Sequence, residues 1–337
     1  MINMKKRTNG FTLVELIVAI TIMAIITPVM SMVLFYVIKG FSSYEAINSI
    51  NKKNQEMLNR IYMRMSVNKR IFQNTSSDNQ FLSRIQLTNC PSVLANSKLA
   101  KIEEGGSLSP DTTTFIAASA GNSLFFGSYE FASTFNNVAD SDSSTHTVKI
   151  DLYRFYYYYI TADNPHSITS RPSYRGIEWK SIPYVDYREL INITNSTLRS
   201  NTVKKIYAAG IRYGWDPAAT VASGSFYSLN SNGNITLQSA HNIQKDKYID
   251  ITKIATGIMG SAYRYGVSPN TAGWPQAPLK IPEYGITNGS FPGGFETVIV
   301  GSSRGRKVLV RSSIVAQIMT SYVTSQLTIV CSARDVW

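Results

Sequence analysis

The segment from Leu16 to Ile38 constrains this chain more than any other. It holds 23 consecutive residues without a charge. A helix rising about 1.5 Å per residue over that length covers a hydrocarbon layer of about 30 Å. Within a bilayer, backbone N–H and C=O groups have to be satisfied inside the segment, so a helix is the form such a run takes. Lys5, Lys6 and Arg7 lie just ahead of it, and the first ten residues contain no acid. A positive cluster before a span holds that end in the cytoplasm and sends the remainder across. The expectation is a single-pass protein of the cytoplasmic (inner) membrane, with its bulk outside the cytoplasm.

An ordinary secretory signal runs basic cluster, apolar stretch, cleavage site. Here Gly10 stands between the basic cluster and the apolar run, so a cut there leaves the apolar helix on the mature chain. The stretch Gly10-Phe11-Thr12-Leu13-Val14-Glu15 closely resembles the recognition motif of type IV prepilins and pseudopilins. The resemblance implies that residues 1–10 are a leader and that an inner-membrane prepilin peptidase cuts after Gly10. It implies that the new amine on Phe11 is methylated. It also implies that helix 11–38 sits first in membrane lipid and later in a filament core.

Glu15 needs its own explanation. A carboxylate in the first turn of a membrane helix costs about 2.5–3.5 kcal/mol on insertion scales, so it calls for a partner or for the helix dipole at the interface. Cleavage creates a cation, the α-amine of Phe11. In the family that Gly10–Glu15 resembles, the glutamate at the fifth mature position pairs with the amine of a neighbouring subunit, and Glu15 occupies that position. Pro28 lies mid-span, removes one backbone donor and displaces the Ala24 carbonyl, which predicts a kink or a melted turn.

From residue 39 to about Ile71, Tyr44, Ile47, Ile50, Leu58, Ile61 and Met65 recur near helical spacing. Lys52, Lys53, Glu56, Arg60 and Arg64 stand between them. This predicts an amphipathic helix over 39–72 whose apolar stripe packs on a sheet. Residues 73–337 carry strand and turn signals. Strands are expected at Phe81–Leu87, Thr113–Ala118, Ser123–Tyr129, Thr147–Ile160, Lys204–Tyr213, Tyr248–Thr252, Thr297–Val300, Lys307–Ser312 and Gln326–Cys331. Asn232-Gly233 marks a hairpin between Ser225–Leu229 and Ile235–Leu237. Loops are expected at Asn136–Ser144, Ala162–Tyr174, Ser268–Pro278 and Ile286–Gly294. The fold class is α+β: a long N-terminal helix, half transmembrane and half amphipathic, packed on a large antiparallel β-rich head. That is the architecture the pilin resemblance implies.

Charged residues make up 16% of the chain and the net charge is +12. Losing the three leader cations would leave +9. A basic surface attracts nucleic acid, anionic lipid or acidic partners, and also simply keeps a protein soluble. Cys90 and Cys331 are the two cysteines; an exported chain permits a disulfide between them, and two free thiols is the other reading. His146, His166 and His241 have no metal-ligand spacing, and Asp140 and Asp142 lack the fuller pattern of a calcium loop. Gly301–Lys307 reads as a tight basic turn, and no HExxH, GxSxG or P-loop motif occurs. No cofactor or metal is expected, and the chain is read as a non-enzyme.

Asp151-Leu152-Tyr153-Arg154-Phe155-Tyr156-Tyr157-Tyr158-Tyr159 is the most unusual run of the head. On a strand, Tyr153, Phe155, Tyr157 and Tyr159 face one side and Arg154, Tyr156 and Tyr158 the other. Aromatics beside a cation can stack bases and hold phosphates. The alternative is a central strand packed on the long helix, with tyrosine hydroxyls reaching partners. Functionally, the resemblance implies a structural subunit, a minor pilin or pseudopilin. Its partners would be other pilins and the inner-membrane assembly platform of a type IV pilus or type II secretion system. A head of about 265 residues suits the larger minor classes, PilW-like or J-type. The alternative function is a tip receptor for DNA or another ligand, as in competence or adhesion filaments.

Overall fold

In a computed structural model of the chain, residues 12–95, 97–104, 120–163, 174–253, 264–267, 294–318 and 321–335 are described. The chain divides into two units, Met1–Ala46 and Ile47–Trp337. Helix α1 (Leu13–Met65) begins in the first and ends in the second, and its assignment is unbroken through Pro28. No turn melts there: the proline removes one donor and the surrounding helix persists.

The second unit holds the head. Its elements are β1 (Asn68–Phe72), α2 (Ser76–Leu82), β2 (Ile102–Glu103), β3 (Leu124–Ala139), β4 (Thr145–Thr161), β5 (Arg175–Ser181), β6 (Tyr184–Asp186), α3 (Tyr187–Ile191), α4 (Ser196–Ala208) and β7 (Tyr213–Trp215). They continue with β8 (Phe226–Leu229), β9 (Ile235–Leu237), β10 (Lys245–Asp250), β11 (Arg264–Val267), β12 (Phe295–Val300), β13 (Arg306–Ile318) and β14 (Ser321–Ala333). Among the described residues one sheet runs β1-β3-β4-β6-β7-β8-β9, with β5 on β4 and β10 on β5. In the other, β13 carries β11 and β12 on one edge and β14 along the opposite edge, and β2 joins β12 in parallel. Nearly all pairings are antiparallel, so the class is α+β with a large β-rich head.

The two faces of β4 show why the core sits where it does. Tyr156, Tyr158 and Ile160 point into a cluster with Met57, Leu58, Ile61 and Met65 of α1 and with Val308, Val310 and Cys331 of the second sheet. Tyr153, Phe155, Tyr157 and Tyr159 point the other way, among Phe72, Phe125, Trp179, Tyr184 and Trp215. Strand alternation therefore divides one aromatic run between two cores, as its period requires. A third cluster lies under α4 and includes Val203, Ile206, Leu152 and Val185. Close packing also fixes small residues: a Cβ on Gly127 would meet the Trp215 ring at 2.6 Å.

Several boundaries differ from expectation. The amphipathic helix ends at Met65, and Asn68–Phe72 is strand β1 instead of helix. Phe72 stacks on Phe125 at 4.4 Å in that pairing, so cross-strand contact overrides helical periodicity. Tyr44 remains exposed and does not extend the buried stripe. Phe81 belongs to helix α2, capped by the Thr75 hydroxyl, and not to a strand. Lys204–Ala208 is the end of α4, with Tyr213 opening β7; Asn195 caps this helix and Gly210, at φ +90°, follows it. The Asn232-Gly233 hairpin is present, with Gly233 at φ +84° and Leu229 opposite Ile235. The expected strand Thr113–Ala118 and the loop Ser268–Pro278 lie outside the described residues, as do most of Ala162–Tyr174 and nearly all of Ile286–Gly294.

Ile61 is fully buried between α1 and the sheets. Ile61→Ala is expected to lower unfolding free energy by about 2–5 kcal/mol. Urea denaturation of the detergent-solubilised chain checks this, with a midpoint shift and an unchanged slope.

Candidate functional site

The start of α1 is built as a helix cap. The Thr12 hydroxyl accepts from the Glu15 amide at 3.3 Å, while Glu15 Oε2 accepts from the Thr12 amide and the Thr12 hydroxyl, each at 2.9 Å. Thr-x-x-Glu is a reciprocal capping box, satisfying helix-end donors that have no intrahelical partner. The sequence signal for it is Thr12-Leu13-Val14-Glu15. The box holds the carboxylate in one orientation through Oε2, and Oε1 makes no hydrogen bond among the described residues. Gly10, Phe11, Lys5, Lys6 and Arg7 lie outside those residues.

Beyond the cap, every side chain from Leu13 to Val37 is exposed, including Leu13 at 75% and Met23 at 69%. Two of the hydroxyls within this run are turned inward on the helix itself. Thr21 donates to the Ile17 carbonyl at 2.8 Å and Thr27 to the Met23 carbonyl at 2.7 Å. Such back-bonding satisfies those two hydroxyls within the helix and leaves a predominantly apolar outer surface, suited to lipid or to other apolar helices.

In the head, Arg154, Tyr156 and Tyr158 are engaged within the fold. Tyr156 and Tyr158 are fully buried, so neither ring has a face for a base. Tyr156 Oη donates to Glu130 at 2.9 Å and Tyr158 Oη to Glu178 at 2.8 Å. Burial raises both phenols above their ordinary pKa. Arg154 is committed too: its Nη1 donates to the Ser181 carbonyl and to Asp246, both at 2.7 Å, and its Nε lies 3.5 Å from Glu130. The run packs as a central strand, with its two faces in two separate cores. What the run builds is an ionic seam to α1. Arg64 sits 3.6 Å from Glu130 and Arg60 3.6 Å from Glu178, with the Arg64 guanidinium 4.9 Å from the Tyr156 ring centre. Asn54 of α1, absent from the predicted stripe, donates to the Ser325 carbonyl at 3.0 Å and accepts from the Ser312 hydroxyl.

The two cysteines are free. Cys331 is buried on the α1 side of the core, where burial pushes its thiol up to about 11; Cys90 packs against the opposite aromatic cluster. Their separation into different clusters accounts for the absence of a bridge. His241 is buried with its Nε2 at 3.0 Å from Tyr184 Oη, and burial lowers its imidazole to about 4, so it is neutral. His146 and Asp140 meet at 3.4 Å in the β3–β4 turn, where Asp140 also accepts from Asn195, the cap of α4. His166 lies outside the described residues. The basic turn Gly301–Lys307 is structural: Arg306 Nε bonds Asp335 at 2.7 Å, and Asp335 accepts from the Ile71 amide at 3.0 Å.

A family model for the prokaryotic N-terminal methylation motif matches residues 5–27. Comparison with curated proteins and with solved structures finds no match. The motif supports a type IV pilin-like protein, and with the apolar helix it fits a membrane-anchored single-pass chain. Proteins with this motif are in general structural, processed by a peptidase and assembled with other pilins.

Glu130 gives a pH prediction. Burial alone would raise its carboxyl, but hydrogen bonds from Lys180 and Tyr156 and the charges of Lys180 and Arg154 bring it below its ordinary value. A depressed folded carboxyl contributes stability that is present at neutral pH and lost as pH falls through the folded value. Glu130→Gln is expected to lower stability at pH 7 by about 1.5–3 kcal/mol. It should also flatten the acid side of the stability profile, read as urea midpoints between pH 7 and pH 3.

Proposed function

We propose that this chain is a minor pilin or pseudopilin, a structural subunit that joins or primes a type IV pilus or a type II secretion pseudopilus. It is made with residues 1–10 as a leader, its N-terminus cytoplasmic and its head outside. The prepilin peptidase cuts between Gly10 and Phe11 and methylates the Phe11 amine. The helix 11–38 holds the subunit in the membrane until the assembly platform passes it into a filament. There the Glu15 carboxylate meets the cationic amine of a neighbouring subunit. The observation that carries this reading is the coincidence of the methylation motif at residues 5–27 with an apolar helix whose side chains are exposed all round.

The Thr12–Glu15 cap supports the assembly step. A carboxylate fixed by its own helix through one oxygen presents the other at little further entropic cost, and an amine brought against it in an apolar setting forms a charge-assisted pair. The size of the head supports a minor subunit of the larger kind, PilW-like or J-type, over a bulk shaft subunit.

Processing is tested by intact mass of the membrane-extracted protein. The expected species begins at Phe11 and carries one methyl group. Gly10→Val is expected to keep residues 1–10 and remain unmethylated. A wild-type chain still beginning at Met1 in a strain with an active prepilin peptidase overturns the reading.

A further inference from the structure

Sheets end in edges, and an edge strand presents a row of backbone N–H and C=O groups that a further strand can take. Natural proteins blunt such edges with short strands, bulges, charges or proline. Most edges of this head are blunted in those ways. β1 has five residues, a register shift between Asn68 and Arg70, and an amide engaged by Asp335. β9 has three residues, β2 two and β11 four. β10 shifts register between Lys245 and Lys247 and carries Lys245, Asp246, Lys247 and Asp250.

β14 is different. Its 13 residues pair with β13 in unbroken register, from Ser321 opposite Ile318 to Ala333 opposite Arg306. Among the described residues no strand pairs with its other edge. The sequence SYVTSQLTIVCSA has no charge, no proline and no glycine, and is rich in residues that favour strands. Gln326, Thr328, Val330 and Ser332 are exposed along one face, while Ser325, Cys331 and Ala333 are buried on the other. The chain here is also anchored at two points by side chains from outside the sheet. Asn54 binds the Ser325 carbonyl, and just beyond the strand Asn68 donates to the Arg334 carbonyl at 2.7 Å. The edge is long, unbroken in register, uncharged and preformed.

The edge itself dictates what covers it: an extended strand without charge. Charge then selects the source. The chain is strongly cationic, at +12, so two copies approach most easily along a strip that carries none. β14 meets its own requirement, since in antiparallel pairing every cross-strand contact would be between neutral side chains. We propose that β14 is an assembly edge and pairs antiparallel with β14 of a second copy, an isologous contact in which both copies use the same residues. This surface is independent of leader processing, and its test reads a different quantity.

The test uses the full-length chain in detergent micelles, with Cys90→Ser to remove the accessible thiol and Cys331 left buried. Single cysteines are placed at Gln326, Thr328 and Val330, all exposed side chains, and mildly oxidised. The expected result is a disulfide-linked dimer that forms at one or two adjacent positions. The pairing should also slow β14 amide exchange by about tenfold relative to a Gln326→Lys/Val330→Lys variant. In the Thr328→Cys chain, those two lysines should suppress the crosslink while circular dichroism stays unchanged. The proposal is overturned if no position crosslinks, if the lysine variant crosslinks equally, or if β14 exchange is the same with and without the lysines. Association through the apolar helix alone gives those overturning results.

Discussion

The dominant constraint on this molecule is an apolar helix that its own unit leaves uncovered. From Leu13 to Val37 every side chain is exposed, and the Thr21 and Thr27 hydroxyls are folded back on the helix backbone. Burying apolar surface is worth about 25 cal/mol per Å², so a surface of this size and uniformity has to be covered by lipid or by other helices. A helix that is hydrophobic all round has no preferred face, which suits a segment that exchanges one apolar environment for another. The capping box at Thr12 and Glu15 fixes where this helix starts and leaves one charged group at its end.

The head solves a different problem, covering a large sheet on both faces with one aromatic-rich strand. β4 alternates large rings between two clusters, and each buried hydroxyl on the α1 side finds a carboxylate, Glu130 or Glu178. Those carboxylates are in turn held by Arg60, Arg64, Lys180 and Arg154. Buried tyrosines need hydroxyl partners and buried carboxylates need cations, so one requirement generates the next. The second half of α1 is placed by that chain of requirements together with Ile50, Met57, Leu58, Ile61 and Met65, all buried.

Much of this was legible in the residues. The uncharged run and the alternation of the Tyr153–Tyr159 strand follow from charge and period alone. So does the hairpin at Asn232-Gly233, where the glycine adopts the positive φ that the turn demands. Where the structure differs, the causes are local. Lys204–Tyr213 carries β-branched and aromatic residues, yet Leu198, Thr202, Val203 and Ile206 share one helical face, bracketed by Asn195 and Gly210. Capping signals outweighed propensity there, as they did at Thr75 before α2. Asn68–Phe72 fails the other way, continuing an apolar rhythm into a strand because Phe72 has Phe125 to stack on. For Arg154, Tyr156 and Tyr158, sequence shows which face a residue takes but not whether that face is covered.

The central claim is that the exposed helix and Glu15 act together in assembly. The direct measurement is the content of sheared filaments from cells expressing wild type or Glu15→Val, by immunoblot and peptide mass spectrometry, beside the content of the membrane fraction. The account predicts wild-type chain in both fractions, and Glu15→Val chain cleaved at Gly10 and retained in the membrane but depleted from filaments. Equal filament content for the two chains, or wild-type chain confined to the membrane while filaments form normally, would contradict it.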